Sequence, residues 1–226
     1  MKKLKYLFCI LFATVLVSCG TTNLKEQAYK NLYSERPLVV AVMPPINKTN
    51  NVEAKDFLYW TLSKPISERG YYVISPFLSM DMFKSESAYD AEMFIDGPLE
   101  RFYSILGADA ILFTTITRWE KAALLANVYV DIEYVLKSTK TNEILFEREG
   151  HIVYDASVSS SNGGLVGALI NVAASALSTA LTDHVKVARA CNEYTLGDMP
   201  AGNYSPQYDK DQKVSAGKKT FSATIR

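Results

Sequence analysis

The side chains able to do covalent or acid–base chemistry are few and scattered in this 226-residue sequence. The two histidines, His151 and His184, fall in different segments. Asp131 and Glu133 alternate on a stretch that reads as a strand, where residues i and i+2 share a face. Paired carboxylates suit general acid–base work, yet on an alternating strand they also make an ordinary solvated face. His184 and Cys191 stand seven apart on an expected helix, which is about 10 Å along its axis and beyond hydrogen-bond reach for a thiol–imidazole pair. A zinc site needs three or four convergent ligands, and no such cluster is spaced in the sequence. Gly163-Gly164-Leu165-Val166-Gly167 lacks the lysine and the strand-to-helix joint of a phosphate-binding loop. No G-x-G-x-x-G, H-E-x-x-H, G-x-S-x-G or C-x-x-C pattern occurs. No catalytic residue, no metal and no cofactor are therefore expected. Lys+Arg and Asp+Glu both number 24, so the formal net charge is zero and a basic footprint for nucleic acid is lacking.

Cys19 is the exception. Met1-Lys2-Lys3-Leu4-Lys5 is a basic start, residues 6–17 form an apolar run too short to span a bilayer comfortably, and small Ser18 precedes the cysteine. Leu16-Val17-Ser18-Cys19 resembles the lipobox of bacterial lipoproteins. That resemblance implies a signal peptide over residues 1–18, cleavage before Cys19, and acylation of Cys19 with chains such as palmitate. Several acyl chains give stable membrane anchoring. Gly20 is compatible with the outer membrane in bacteria whose sorting rule disfavours Asp at that position, and a periplasmic orientation is expected. Cys9 lies in the leader, which leaves Cys191 alone and no internal disulfide.

The elements that must position any surface follow from apolar period and turn chemistry. Residues 19–36 read as a lipidated tether with a short helix near Leu24 and Leu32. The β-branched run 37–43 is a buried strand stopped by Pro44-Pro45. Asn50 or Asn51 caps a helix over 52–68, with Pro65 kinking or restarting it and Gly70 ending it. Residues 71–75 are a short strand, 79–85 and 98–106 short helices, the latter closed by Gly107. Residues 109–119, 127–136 and 144–154 are strands, the last two joined by a hairpin turn near Thr141-Asn142. A long helix is expected over 165–190. Its charge-free first half could be mistaken for a membrane span, but recurring Asn and Ser favour a core helix. The order β-α-β-α-α-β-β-β-α predicts an α/β fold bordering on α+β, a mixed sheet flanked by helices. Its early strands should be parallel and its later ones antiparallel. The single domain is placed at 37–211 and an unordered tail at 212–226.

Several phrases carry a wider resemblance. Met43-Pro-Pro-Ile-Asn-Lys-Thr-Asn50, Pro65-Ile-Ser-Glu-Arg-Gly-Tyr-Tyr-Val73, Leu106-Gly-Ala-Asp-Ala-Ile-Leu112, Asn192 and Met199-Pro-Ala-Gly-Asn-Tyr-Ser-Pro-Gln-Tyr208 resemble the GNA-type bacterial lipoproteins over about residues 38–211. The resemblance implies a fold like the TolB N-terminal domain and the periplasmic domain of the curli secretion lipoprotein CsgG. It also implies a loose role in envelope transport or assembly. It supplies no catalytic residues. Two exposed, shaped stretches are candidate contacts with envelope proteins or with another copy: Asn47, Lys48, Thr49 and Asn50 in a polar loop, and Met199, Tyr204 and Tyr208 among prolines and glycines. Asn47-Lys48-Thr49 also matches a glycosylation sequon, a weak signal in a bacterial-looking chain. The function expected is a non-enzymatic interaction module of a cell-envelope complex. The alternative is an oligomeric subunit of a secretion or transport system.

Replacing Cys19 tests the anchor. The Cys19→Ala chain should incorporate no radiolabelled palmitate and should accumulate as the unprocessed precursor, whereas wild-type labelling would remove the lipobox reading.

Overall fold

The structure is a computed structural model, and it describes residues 23–85, 91–122, 126–157 and 183–226. The leader, Cys19 and residues 165–182 of the expected long helix lie outside the described residues. Two short helices come first, α1 (Lys25–Ala28) and α2 (Lys30–Glu35). Strands β1 (Val39–Val42) and β2 (Ile46–Asn47) precede helices α3 (Val52–Thr61) and α4 (Ser63–Glu68). Strand β3 (Tyr72–Val73) leads into α5 (Pro76–Ser85), a 3₁₀ turn (Ala91–Met93) and α6 (Glu100–Leu106). The long strands β4 (Ala110–Ala122), β5 (Asn127–Ser138) and β6 (Ile144–Asp155) follow, then α7 (His184–Leu196) and β7 (Thr220–Ile225).

The sheet runs β3-β1-β4-β5-β6-β7, with β2 on β4. As expected, the early pairs β1–β3 and β1–β4 are parallel and the meander β4–β5–β6 is antiparallel. The two halves differ in burial for a topological reason. Crossover helices cover both faces of the parallel half, so β1 and the start of β4 read as continuous apolar runs. One core layer joins Val40, Val42 and Leu112 to Leu58, Leu62, Val187 and Leu196. The opposite layer joins Ala41, Met43, Ile111 and Phe113 to Phe83 and Phe102. In the meander the described residues cover only the first face, and β5 alternates buried Val128, Val130, Ile132 and Tyr134 against half-exposed Tyr129, Asp131 and Glu133.

Local chemistry sets the helix boundaries. The Asn51 side chain accepts the Ala54 amide at 3.1 Å as the N-cap of α3. The expected single helix 52–68 is two, divided at Leu62, with Pro65 in the first turn of α4, where its missing N–H costs nothing. Gly70 (φ 93°) and Gly107 (φ 64°) take the left-handed conformation expected at those joints. Pro76 opens α5 rather than merely ending a strand, so that helix begins three residues before the expected start. The helix expected at 165–190 runs six residues further at its C-terminal end, while its start at 165–182 lies outside the described residues. Asp183 is extended (φ −68°, ψ 120°) and its carboxylate accepts the Val185 amide at 2.8 Å, so α7 starts at His184 and continues to Leu196.

Residues 24–25 and 214–225 enter the fold more deeply than the tether and tail assignments allow. Leu24 bridges Ser215, and the Lys25 amide donates to the Val214 carbonyl at 2.9 Å. The tail expected to lack order from Gln212 carries β7, which pairs in parallel with β6 from Glu149↔Thr220 to Tyr154↔Ile225. The physical reason is a missing side chain in β6. A Cβ on Gly150 would stand 2.7 Å from the Phe221 ring, so glycine leaves the seat for Phe221, over which the Arg148 guanidinium lies at 4.1 Å.

A buried polar lock fixes α7 to the sheet. The Tyr134 hydroxyl donates to the Asn192 side-chain oxygen at 2.6 Å. The Asn192 amide in turn donates to the Leu58 carbonyl (3.1 Å) and the Thr61 hydroxyl (2.9 Å). Asn192 has no exposed surface. Asn192→Ala leaves several buried partners unsatisfied and should cost on the order of 3 kcal/mol, read as a lower urea midpoint at an unchanged slope.

Candidate interaction surface

The polar loop after β2 is closed upon itself. The Asn47 side-chain oxygen accepts from the Thr49 amide (3.1 Å) and hydroxyl (2.8 Å), and its amide donates to the Asn51 carbonyl at 2.7 Å. The Thr49 hydroxyl accepts the Asn51 amide at 3.1 Å, and the Lys48 amide donates to Ile116. Asn47 and Thr49 thus build a turn that delivers Asn51 to its cap. Lys48 and Asn50 are the exposed members of the loop.

The segment 198–211 folds back on its own domain. The Gly202 amide donates to Arg69 O at 2.7 Å, the Tyr204 amide to Gly70 O at 2.9 Å, and the Tyr71 hydroxyl to Pro200 O at 2.9 Å. The two glycines meet backbone to backbone: a Cβ on Gly202 would stand 2.5 Å from the Gly70 oxygen. Met199 is 1 % exposed and belongs to the core, which corrects its expected role as a contact. The apolar pocket made by α7 and the sheet claims it, because an apolar side chain beside the last turn of α7 gains more by burial there. Tyr208 is half-buried, with the Arg36 guanidinium 5.8 Å above its ring. Tyr204 remains outside at 64 % exposure.

Below this segment lies a charged knot. Asp211, buried, accepts the Tyr33 hydroxyl (2.8 Å) and the Ala201 amide (2.9 Å), and faces Arg69 (3.3 Å) and Lys25 (3.6 Å). Asp198 accepts the Tyr29 hydroxyl and, at 2.9 Å, the Gly217 amide. Burial, and next the Arg69 charge, hold the Lys25 ammonium below its ordinary pKa against the pull of both aspartates. A groove of about 470 Å³ opens beside the knot, between Asn23, Tyr29, Leu145, Phe146, Ala216 and Lys219.

The residues weighed for chemistry are dispersed. His151 Nδ1 lies 3.2 Å from Asp131 across β5–β6 on the open sheet face, where Glu133 stands opposite Glu149. His184 stacks on Trp119 (5.7 Å, 14°) and tilts against Phe57. Cys191 is fully buried, and burial pushes its thiol up to about 12, an inert state. Among the described residues no group of three or more His, Cys, Asp or Glu is placed to hold a metal. Among them no helix is long and apolar enough to cross a membrane.

The surface that sequence reasoning missed is apolar and lies on α5 and α6. Phe77 (63 %), Leu78 (59 %) and, after α5, Met93 (69 %) are exposed, with Met82, Tyr103 and Ile105 partly so. Met82 and Ile105 form the rim of a cleft floored by Phe83, Phe94 and Phe102. The signal was present in Pro76-Phe-Leu-Ser-Met80-Asp-Met-Phe83, whose apolar residues occupy more of the helix circumference than one buried face can use.

The described residues thus form a mixed seven-stranded sheet with helices packed on it, and polar loops held by their own side chains. The family model described as "Putative lipoprotein GNA1162-like" matches residues 27–202, and the chain belongs to that family. The protein "Putative lipoprotein NMB1124/NMB1162" of Neisseria meningitidis serogroup B is 25% identical over 174 residues, which cover 74% of this chain and 78% of that protein. The crystal structure of lipoprotein GNA1162 from Neisseria meningitidis is 24% identical with a TM-score of 0.49, covering 61% of this chain and 95% of that one. A PelC dodecamer from Paraburkholderia phytofirmans is 16% identical with a TM-score of 0.36, covering 68% of this chain and 88% of that one.

Two substitutions in one segment separate fold from surface. Met199→Ser should lose about 3 kcal/mol by emptying and polarising a core site. Tyr204→Ser should stay within about 0.5 kcal/mol of wild type. Thermal unfolding followed by circular dichroism checks both.

Proposed function

We propose that this chain is a lipid-anchored, non-enzymatic interaction module of a cell-envelope complex, held through acylated Cys19 in the outer membrane and facing the periplasm. The observation that carries the interaction role is the exposed apolar surface of α5 and α6. Soluble domains rarely leave several large apolar side chains uncovered side by side, and where they do the patch marks a contact site. Exposed Phe77, Leu78 and Met93, with Met82 and Ile105 at an aromatic-floored cleft, have the composition of an interface centre rather than a rim. The occupant proposed is an apolar protein surface, for which a groove between two helices is a common seat. Lys48, Asn50 and Tyr204 are further proposed contacts, since they remain exposed on loops whose backbones are rigidly held. The fold gives those contacts a stiff platform, which lowers the entropy lost on docking.

Crosslinking in intact cells followed by affinity recovery tests the reading. Phe77→Ser with Leu78→Ser should cut recovery of envelope partners at least tenfold while shifting the thermal midpoint by only a few degrees. Undiminished recovery would remove this surface from the function.

A further inference from the structure

The two edges of the sheet are guarded very differently. At one end β3 is two residues long, and Pro76 opens the next helix three positions on. Short strands and nearby prolines are common protections of an edge. At the other end β7 offers six residues, Thr220-Phe-Ser-Ala-Thr-Ile225, with no charge, proline or glycine inside the strand. Among the described residues only β6 pairs with it. The flanking cations are already engaged: Lys219 bridges to Glu147 at 2.6 Å, and Arg226 donates to the Ser157 carbonyl.

The backbone fixes which groups point outward. The Glu149 amide donates to the Lys219 carbonyl at 2.7 Å, so residues 219, 221, 223 and 225 turn their polar groups toward β6. Thr220, Ser222 and Thr224 then present three N–H and three C=O groups to the free edge. Side chains obey the same alternation. Thr220, Ser222 and Thr224 are exposed on the open sheet face, while Phe221, Ala223 and Ile225 lean toward the helical layer.

We propose that β7 is the interface for a second copy of this chain, which adds its own β7 antiparallel about a two-fold axis through Ser222. The pattern is self-complementary in the way such an axis requires. Thr220 falls opposite the partner's Thr224, Ser222 opposite the partner's Ser222 and Phe221 opposite the partner's Ala223. Hydroxyls thus meet hydroxyls and apolar groups meet apolar groups. The outward backbone groups of the three residues all find partners in this one register, because each of 220, 222 and 224 then occupies a hydrogen-bonded pair. The axis stands perpendicular to the sheet, so both helical layers stay on the same side and both polar faces stay on the other. Zero net charge leaves little long-range repulsion between copies. The inference does not depend on where, or whether, the chain is anchored.

Cysteine trapping on the full chain in the bacterial envelope tests it. In a hydrogen-bonded antiparallel pair the Cα atoms are about 5.5 Å apart, within the span a disulfide accepts. Ser222→Cys should therefore give a disulfide-linked homodimer on mild oxidation. Thr220→Cys alone should give at least tenfold less, its own Cα atoms being roughly 15 Å apart. Thr220→Cys expressed together with Thr224→Cys should restore the dimer. Cys191 is buried and inert, and any disulfide through Cys9 or Cys19 would form in the wild-type chain too, so the wild-type chain serves as the blank. Ser222→Pro gives a second readout: it removes an outward N–H without touching the β6 ladder, and should shift the detergent-solubilised chain from dimer to monomer by light scattering. If Ser222→Pro fails to fold, the cysteine series still decides. Monomeric Ser222→Cys, equal trapping of Thr220→Cys, or a Ser222→Cys adduct with the mass of a different protein overturns the proposal.

Discussion

A carboxylate taken out of water must recover its lost hydrogen bonds from the protein, and Asp211 recovers them from four groups on three stretches of chain. Tyr33 comes from α2, Lys25 from α1, Arg69 from the joint before β3, and the Ala201 amide from the segment after α7. Lys25 and Tyr33 share the α1–α2 stretch, so satisfying one charge orders three chain segments at once. The rest of the architecture depends on this. The Gly70–Gly202 contact is close because Asp211 holds Ala201 beside Arg69. Asp198, bonded to Tyr29 and Gly217, then aims the chain along the sheet so that residue 220 arrives opposite Glu149. Such a knot contributes little net energy over an apolar equivalent, but breaking one member leaves an uncompensated buried charge. Its role is to specify one path for the chain ends.

That path explains why the sheet has two characters. The crossover connections through α3–α4 and α5–α6 demand right-handed parallel pairing and bury both faces of β1. The meander needs no crossover, so nothing among the described residues lies on its second face, and alternation carries Asp131, Glu133, Glu149 and His151 outward. Glu133 directly opposite Glu149 is tolerable only because water screens the pair. The carboxylates that first suggested acid–base chemistry are thus the solvated side of a one-sided sheet, with His151 supplying one local partner.

The strands were legible because period-2 alternation in residues 127–136 and 144–154, and the apolar run 37–43, are strong local signals that survive into the fold. Gly70, Gly107 and Asn51 were legible because only special backbone geometry needs them there. The tail was not, since Lys218-Lys-Thr-Phe-Ser-Ala-Thr-Ile225 has the composition of a solvated end until Gly150 is known to leave a seat for Phe221. Met199 was misplaced for a related reason: a methionine between prolines and glycines reads as surface, and only the position of α7 makes it core. Tyr204 was legible as exposed, whereas the α5–α6 surface was overlooked because each of its residues looks like ordinary core.

The two proposed interfaces sit at opposite ends of one sheet and can be used together. Helices α5 and α6 pack over β1 and β4, and β7 lies three strands beyond β4, about 14 Å along the hydrogen-bonding direction. A dimer joined at β7 therefore leaves both apolar clefts open, at the two far ends of the joined sheet and on the same side of it. Asn23, where the described residues begin, lies near the dimer side: the Ala216 amide bonds its carbonyl at 2.8 Å, and Ala216 lies four residues before β7. With the proposed Cys19 anchor, a dimer would carry two tethers that start from the neighbourhood of a shared edge. Two tethered anchors convert the second insertion into an intramolecular step, which strengthens membrane attachment without any new contact. The same geometry presents two partner sites per assembly, so a partner that is itself dimeric or arrayed would be held by avidity rather than by one tight interface.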